Sequence, residues 1–151
     1  MHLSGCTPTH KTGTDSKPHL YPKFNANGDI SITNLQKEKF HTIDLHGPNY
    51  TIDLIEIVES AKQQLENQIQ TAKSSSNNDL TKTIGLSISI VHVSGIFKVT
   101  IYMRIDIGNG ETRGVEAIGE SWLIDQAINQ ATYNIPEKIL YSTSVLDYLE
   151  E

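Results

Sequence analysis

The sequence has one cysteine, Cys6, so no disulfide can form within the chain and no zinc site can be built from cysteines. No apolar run approaches the roughly 20 residues that a membrane-spanning helix needs. The chain as given is therefore expected to hold no transmembrane helix and no complete signal peptide. Basic side chains are scarce: 12 Lys and Arg stand against 18 Asp and Glu, a formal net charge of −6. The shortage is uneven. Residues 1–28 carry Lys11, Lys17 and Lys23 against Asp15, a net of +2, which leaves −8 on residues 29–151. Binding to a phosphate backbone depends on Lys and Arg displacing counterions, so nucleic acid is not the expected partner of so acidic a domain. Charge alone would not hold it to an anionic membrane surface either.

Signatures of catalysis are also missing. There is no HExxH helix, no Cys/His cluster, no GxSxG elbow and no SxxK. His41 and His46 flank one strand, five apart, and point to opposite faces; His92 lies on another strand, and His2, His10 and His19 lie near the start. A zinc site would have to come from His41, His92 and a carboxylate; surface histidines are the stronger reading, and no metal site is assigned. Asp44 and Asp53 have no special spacing. Gly108-Asn109-Gly110-Glu111-Thr112 precedes a strand and not a helix N-terminus, so it lacks the amides and dipole that hold a phosphate, and reads as a hairpin turn. No catalytic residue and no cofactor are expected, and the chain reads as a non-enzyme.

What is present is strong patterning. In Phe97–Ile107 the odd positions are Phe97, Val99, Ile101, Met103, Ile105 and Ile107, and the even ones are Lys98, Thr100, Tyr102, Arg104 and Asp106. That alternation predicts a β-strand with one buried face. Gly108-Asn109-Gly110 can supply the positive φ of a tight reversal, and Glu111–Gly119 returns beside the first strand. At 151 residues the chain suits one domain with one core.

Residues 1–28 have the composition of a flexible tether, with Leu20, Tyr21 and Phe24 able to dock; residues 29–151 form the domain. Asp29–Thr33 and Phe40–Leu45 are strand candidates, the second ended by Gly47-Pro48-Asn49. A helix follows from about Ile52 to Gln70, with Leu54, Val58, Ala61, Leu65 and Ile69 on one face and Asp53 and Glu56 at capping-box spacing. Residues 74–79 form a polar loop. Ile84–Val93 is a strand with Leu86, Ile88 and Ile90 in alternation on its inside face, which switches near Val91 and Val93, the mark of a bulge. The second helix opens at Ser121 as N-cap, carries Ile124, Ala127, Ile128, Ala131 and Ile135, and is expected to kink or restart at Pro136. Thr143 or Ser144 caps a last turn, Val145–Leu149. The order is β-β-α-β-β-β-α. It predicts an α+β fold with a mostly antiparallel sheet and two helices packed on one face.

The even face of the central strand is not needed for that core, so Lys98, Tyr102 and Arg104, with Thr100, are the expected partner-binding residues. Trp122 is a further candidate as a binding platform, although a tryptophan there is more often a packing residue at the core rim.

Two resemblances refine this reading. Leu3-Ser4-Gly5-Cys6 resembles the bacterial lipobox, with only Met1 and His2 in front of it. The second half, from Gly85 to Leu149, is similar to small Gram-negative outer-membrane lipoproteins through Gly119, Ser121, Ala127, Ile128, Ala131, Val145, Tyr148 and Leu149. This resemblance implies lipid attachment at Cys6, a periplasmic domain held to the outer membrane through the lipid anchor alone, and an adaptor or structural role beside an envelope protein partner. Thr7, which is not Asp, is compatible with outer-membrane export in that family. The stretch Ile43–Leu65, with Gly47-Pro48-Asn49, resembles the ribosome hibernation factor family, which implies a cytoplasmic factor on ribosomal RNA. That family's helices present basic residues; here the first helix offers Lys62 and, beyond its end, Lys73, and the second offers only Lys138. The sequence assigns no oligomeric state.

Overall fold

The computed structural model describes residues 20–73 and 79–151. The elements are β1 (Asp29–Asn34), β2 (Phe40–Asp44), β3 (Asn49–Asp53), α1 (Leu54–Thr71), β4 (Thr81–Ser94), β5 (Lys98–Ile107), β6 (Thr112–Glu120), α2 (Ile124–Leu140) and α3 (Thr143–Glu150). The fold is α+β. One sheet has the strand order β1-β4-β5-β6, antiparallel except where β1 runs parallel to β4, and β2 and β3 form a separate antiparallel hairpin. Helices α1 and α2 contact each other and cover one face of the large sheet.

The alternation on β5 decides which face that is. Val99, Ile101, Met103, Ile105 and Ile107 are buried, and they join Ile57, Leu65, Ile128, Ile135 and Ile139 of the helices in one core. Helix α2 seats unusually close to β6. A Cβ on Gly119 would lie within contact distance of the Ala127 carbonyl oxygen and 2.6 Å from the Ala131 amide nitrogen, so only glycine fits opposite these two alanines.

Several boundaries differ from expectation. Ile52 and Asp53, expected to open the helix, instead end strand β3, whose Tyr50 and Ile52 are buried while the residues between and beside them are less so. Helix α1 then begins one residue after Asp53, whose carboxylate accepts the Glu56 amide at 3.0 Å, as the capping spacing predicts. The bulge on β4 falls between Ile88 and Ile90, just ahead of the expected switch at Val91 and Val93. Ser121 does not cap α2: its N-cap is Leu123, with no side-chain bond, and Ser121 instead accepts the Leu123 amide at 3.2 Å in a turn ahead of the helix. Helix α2 does not restart at Pro136 but continues to Leu140, and the last turn is a separate helix with Ser142 as N-cap. On the solvent face of β5, Thr100 is buried at 6 % exposure, an exception to its neighbours. The polar loop after α1 lies, through residue 78, outside the described residues.

Residues 20–28 lie on the domain. Tyr21 and Phe24 pack against the core and Ala26 is fully buried, whereas the Leu20 side chain stays exposed and only its carbonyl is held, by the Tyr141 hydroxyl at 2.9 Å. The same segment finishes α3. The last carbonyls of a helix have no partner within it. Here the Asn27 amide donates to Leu149 O at 2.8 Å and its side chain to Glu150 O at 2.7 Å, while the buried Lys82 ammonium donates to Leu149 O and Glu151 O, both at 3.3 Å. A cation there also suits the negative end of the helix dipole. Tyr148 completes the corner by accepting the Thr83 amide at 3.0 Å. The lower end of the sheet, where β1 and β4 begin, is therefore closed by both outer segments of the described chain.

Candidate functional site

The face of the sheet opposite the helices is built by register. Across β4, β5 and β6 the rows run Ser87–Arg104–Gly114, Ile90–Tyr102–Glu116, His92–Thr100–Ile118 and Ser94–Lys98–Glu120. Lys98, Tyr102 and Arg104 are exposed here, as expected, and Ile90 beside them is 59 % exposed. Leu35 lies on the same face lower down, against Gly85.

Two irregularities open a notch in this face. Gly114 leaves its place in the Arg104 row without a side chain, and the β4 bulge displaces Ser89. The result is a shallow depression of about 470 Å³ bordered by Ser89, Ile90, Tyr102, Gly114 and Glu116. Arg104 stands next to it with its guanidinium fixed: Nε meets Asp106 Oδ1 at 3.0 Å, and that same oxygen accepts the Thr112 hydroxyl at 3.2 Å. A notch lined by an exposed tyrosine and an isoleucine, with an arginine in the neighbouring row, combines residue types that anchor protein interfaces.

Trp122 lies elsewhere, at the upper end of the sheet. The Ser121 amide donates to Phe97 O at 3.1 Å and ties the β4–β5 turn to the β6–α2 connection. Ile96 in the first loop and Trp122 and Leu123 in the second are 65, 79 and 58 % exposed, so Trp122 is part of an apolar tip and does not pack at the core rim. Ile90, expected on the inside face with Leu86 and Ile88, is turned outward by the bulge that precedes it. Ile96, Leu123 and Gly114 were not singled out by the sequence. The legible hints were an isoleucine inside a glycine turn and a Trp-Leu pair just ahead of a helix.

Among the described residues the chemistry-bearing side chains do not converge. Among the described residues no group of three or more His, Cys, Asp or Glu could hold a metal ion. Asp53 caps α1, and Asp44, at the other end of the hairpin, accepts the His46 amide at 2.9 Å. Gly108-Asn109-Gly110 is the β5–β6 hairpin turn, with Gly110 at φ +94°. The perturbed groups lie in the packing of residues 20–28 and the lower corner. Burial first, and then Tyr133 and Glu137, push the Tyr21 phenol up to about 12. Burial lowers the Lys82 ammonium below the usual lysine value against the opposing effect of Glu151. Cys6, the expected lipid attachment point, lies outside the described residues.

Comparisons with protein-family models, curated proteins and solved structures found no match.

Proposed function

We propose that this domain is a non-catalytic adaptor that holds an envelope protein partner on the open face of its sheet, and that Cys6 tethers it to the outer membrane. The observation that supports the binding role is the Tyr102 notch, with Arg104 already oriented by Asp106 and therefore losing little rotamer freedom on contact. The compartment rests on Leu3-Ser4-Gly5-Cys6 and on the acidic balance of residues 29–151. On the competing ribosomal reading the helices should offer cations, yet Lys62, the one basic residue within α1, is engaged by Glu59 at 3.5 Å and Glu66 at 3.9 Å.

Two measurements test the proposal. Replacing Cys6 with Ala should move the protein from the membrane to the soluble fraction, and unchanged fractionation removes the anchor. A photo-cross-linking residue at Tyr102 should trap one envelope protein in a way that Arg104→Glu abolishes, while the same probe at Glu66 traps none. Cross-linking to ribosomal components instead would establish the cytoplasmic reading.

A further inference from the structure

Strand β4 is longer than its neighbour on one side. β1 pairs with it only from Thr81 to Leu86, and Leu35 extends the pairing through its amide to Leu86 O at 2.8 Å. Next the Gln36 side chain takes over, its Oε1 accepting the Ile88 amide at 2.8 Å. Above that point no described strand lies against this side of β4. The bulge interrupts the regular run at Ile88–Ile90, so the regular free edge is Ile90–Ser94.

The direction of the backbone there follows from β5. Ile107 at the end of β5 and Phe97 just ahead of it bond to Glu111 and Ser121, which flank β6, so the odd residues of β5 face β6 and the even ones face β4. Ile90, His92 and Ser94, which register with Tyr102, Thr100 and Lys98, therefore turn their amides and carbonyls inward to β5. Val91 and Val93 turn theirs outward. The edge is Ile-Val-His-Val-Ser, β-branched at three of five positions, without Asp, Glu, Lys, Arg or Pro. Those are the residues by which natural sheets blunt an edge. The opposite edge is treated differently. Along β6 the Asn134 amide donates to Ile118 O at 2.9 Å and Gln130 Oε1 accepts the Glu120 amide at 3.1 Å, so α2 occupies outward groups of that strand.

We infer that this upper edge of β4 pairs antiparallel with the same edge of a second copy of the chain, about a two-fold axis through His92. The occupant follows from self-complementarity. Centred on His92, Val91 of each copy faces Val93 of the other, outward amide to outward carbonyl, and no like charges meet although each chain carries a net −6. The same operation places the exposed Ile96 of one copy level with Ile88 of the other. A groove of about 470 Å³ opens at that level, lined among others by Leu35, Gln36, His41, Leu54, Ile88 and Ile90. The Gln36–Ile88 bond closes the lower end of the free run and stops the register from sliding. Because the axis stands perpendicular to the sheet, the two sheets join into one, with both helical layers on one side.

The test uses the full chain, unlipidated. Sedimentation equilibrium should show a monomer–dimer transition in the micromolar range. Val93→Pro removes an outward amide that β5 does not use, and an edge strand tolerates proline at such a position; it should leave a folded monomer at every concentration. Ile96→Asp, at a side chain already exposed, should weaken association at least tenfold. In a Cys6→Ser background, His92→Cys should oxidise to a disulfide-linked dimer, since directly opposed residues at a non-hydrogen-bonded pair lie about 4.5 Å apart at Cα. Thr112→Cys on the far edge should not. A wild-type chain that stays monomeric throughout overturns the inference. So does a dimer that survives both Ile96→Asp and Val93→Pro, or one that cross-links through Thr112→Cys and not through His92→Cys.

Discussion

At the residue scale the fold depends on a few positions where a neighbour leaves no room. Gly119 faces the backbone of α2 at Ala127 and Ala131, and backbone cannot rotate aside. Gly119→Ala should cost about 1–3 kcal/mol in a chemical denaturation series. Gly114→Ala, whose new Cβ would find its nearest neighbour at 3.8 Å, should change stability far less. The two perturbed ionisable groups give opposite pH signatures. Tyr21 holds its proton to about pH 12 when folded, whereas the unfolded phenol loses it near 10. Its contribution is thus complete below pH 10 and lost as pH rises from 10 to 12, and Tyr21→Phe should flatten that part of the wild-type stability curve. Lys82 is lowered when folded, so the unfolded chain binds the extra proton and stability rises with pH up to the ordinary lysine value. Thermal melts of Lys82→Met at alkaline pH below that value should lack that rise.

At the element scale, helix starts and strand edges are where local chemistry acts. Asp53→Ala removes the N-terminal side-chain cap of α1 and should lower stability by about 1 kcal/mol in urea unfolding. Replacing both Gln130 and Asn134 with Ala frees Ile118 O and the Glu120 amide, and should produce species larger than a dimer in light scattering, which wild type should not form. Much of this layer is legible in the sequence, because β5, β6, α1 and α2 each repeat one period over many residues. Strand β3 was not, since a five-residue alternation of Tyr50 and Ile52 merges with the apolar stripe of the helix that follows at once. The parallel pairing of β1 with β4 joins segments some fifty positions apart, and nothing in either states that partner. Ser121 was misread as a cap because the same hydroxyl can serve a turn two residues earlier. On the candidate site, alternation alone placed Lys98, Tyr102 and Arg104 outward. The notch required Gly114 and the bulge to meet across a register that only the folded sheet supplies.

At the scale of the whole molecule, the apolar tip and the closed corner lie at opposite ends. Trp122→Ala should leave the melting temperature within error, because the ring is 79 % exposed, while reducing binding of a hydrophobic dye such as ANS. The corner has a different consequence. Asn27, Lys82 and the end of α3 are bonded together there, and β4 climbs from that point to the tip over fourteen residues. At about 3.3 Å per residue the strand spans roughly 45 Å. On the lipid-anchor proposal the domain then stands like a post whose foot is its point of attachment. The bonds at its foot carry any load drawn along the tether, and the tip is held at a fixed height above the foot, a distance set by strand length.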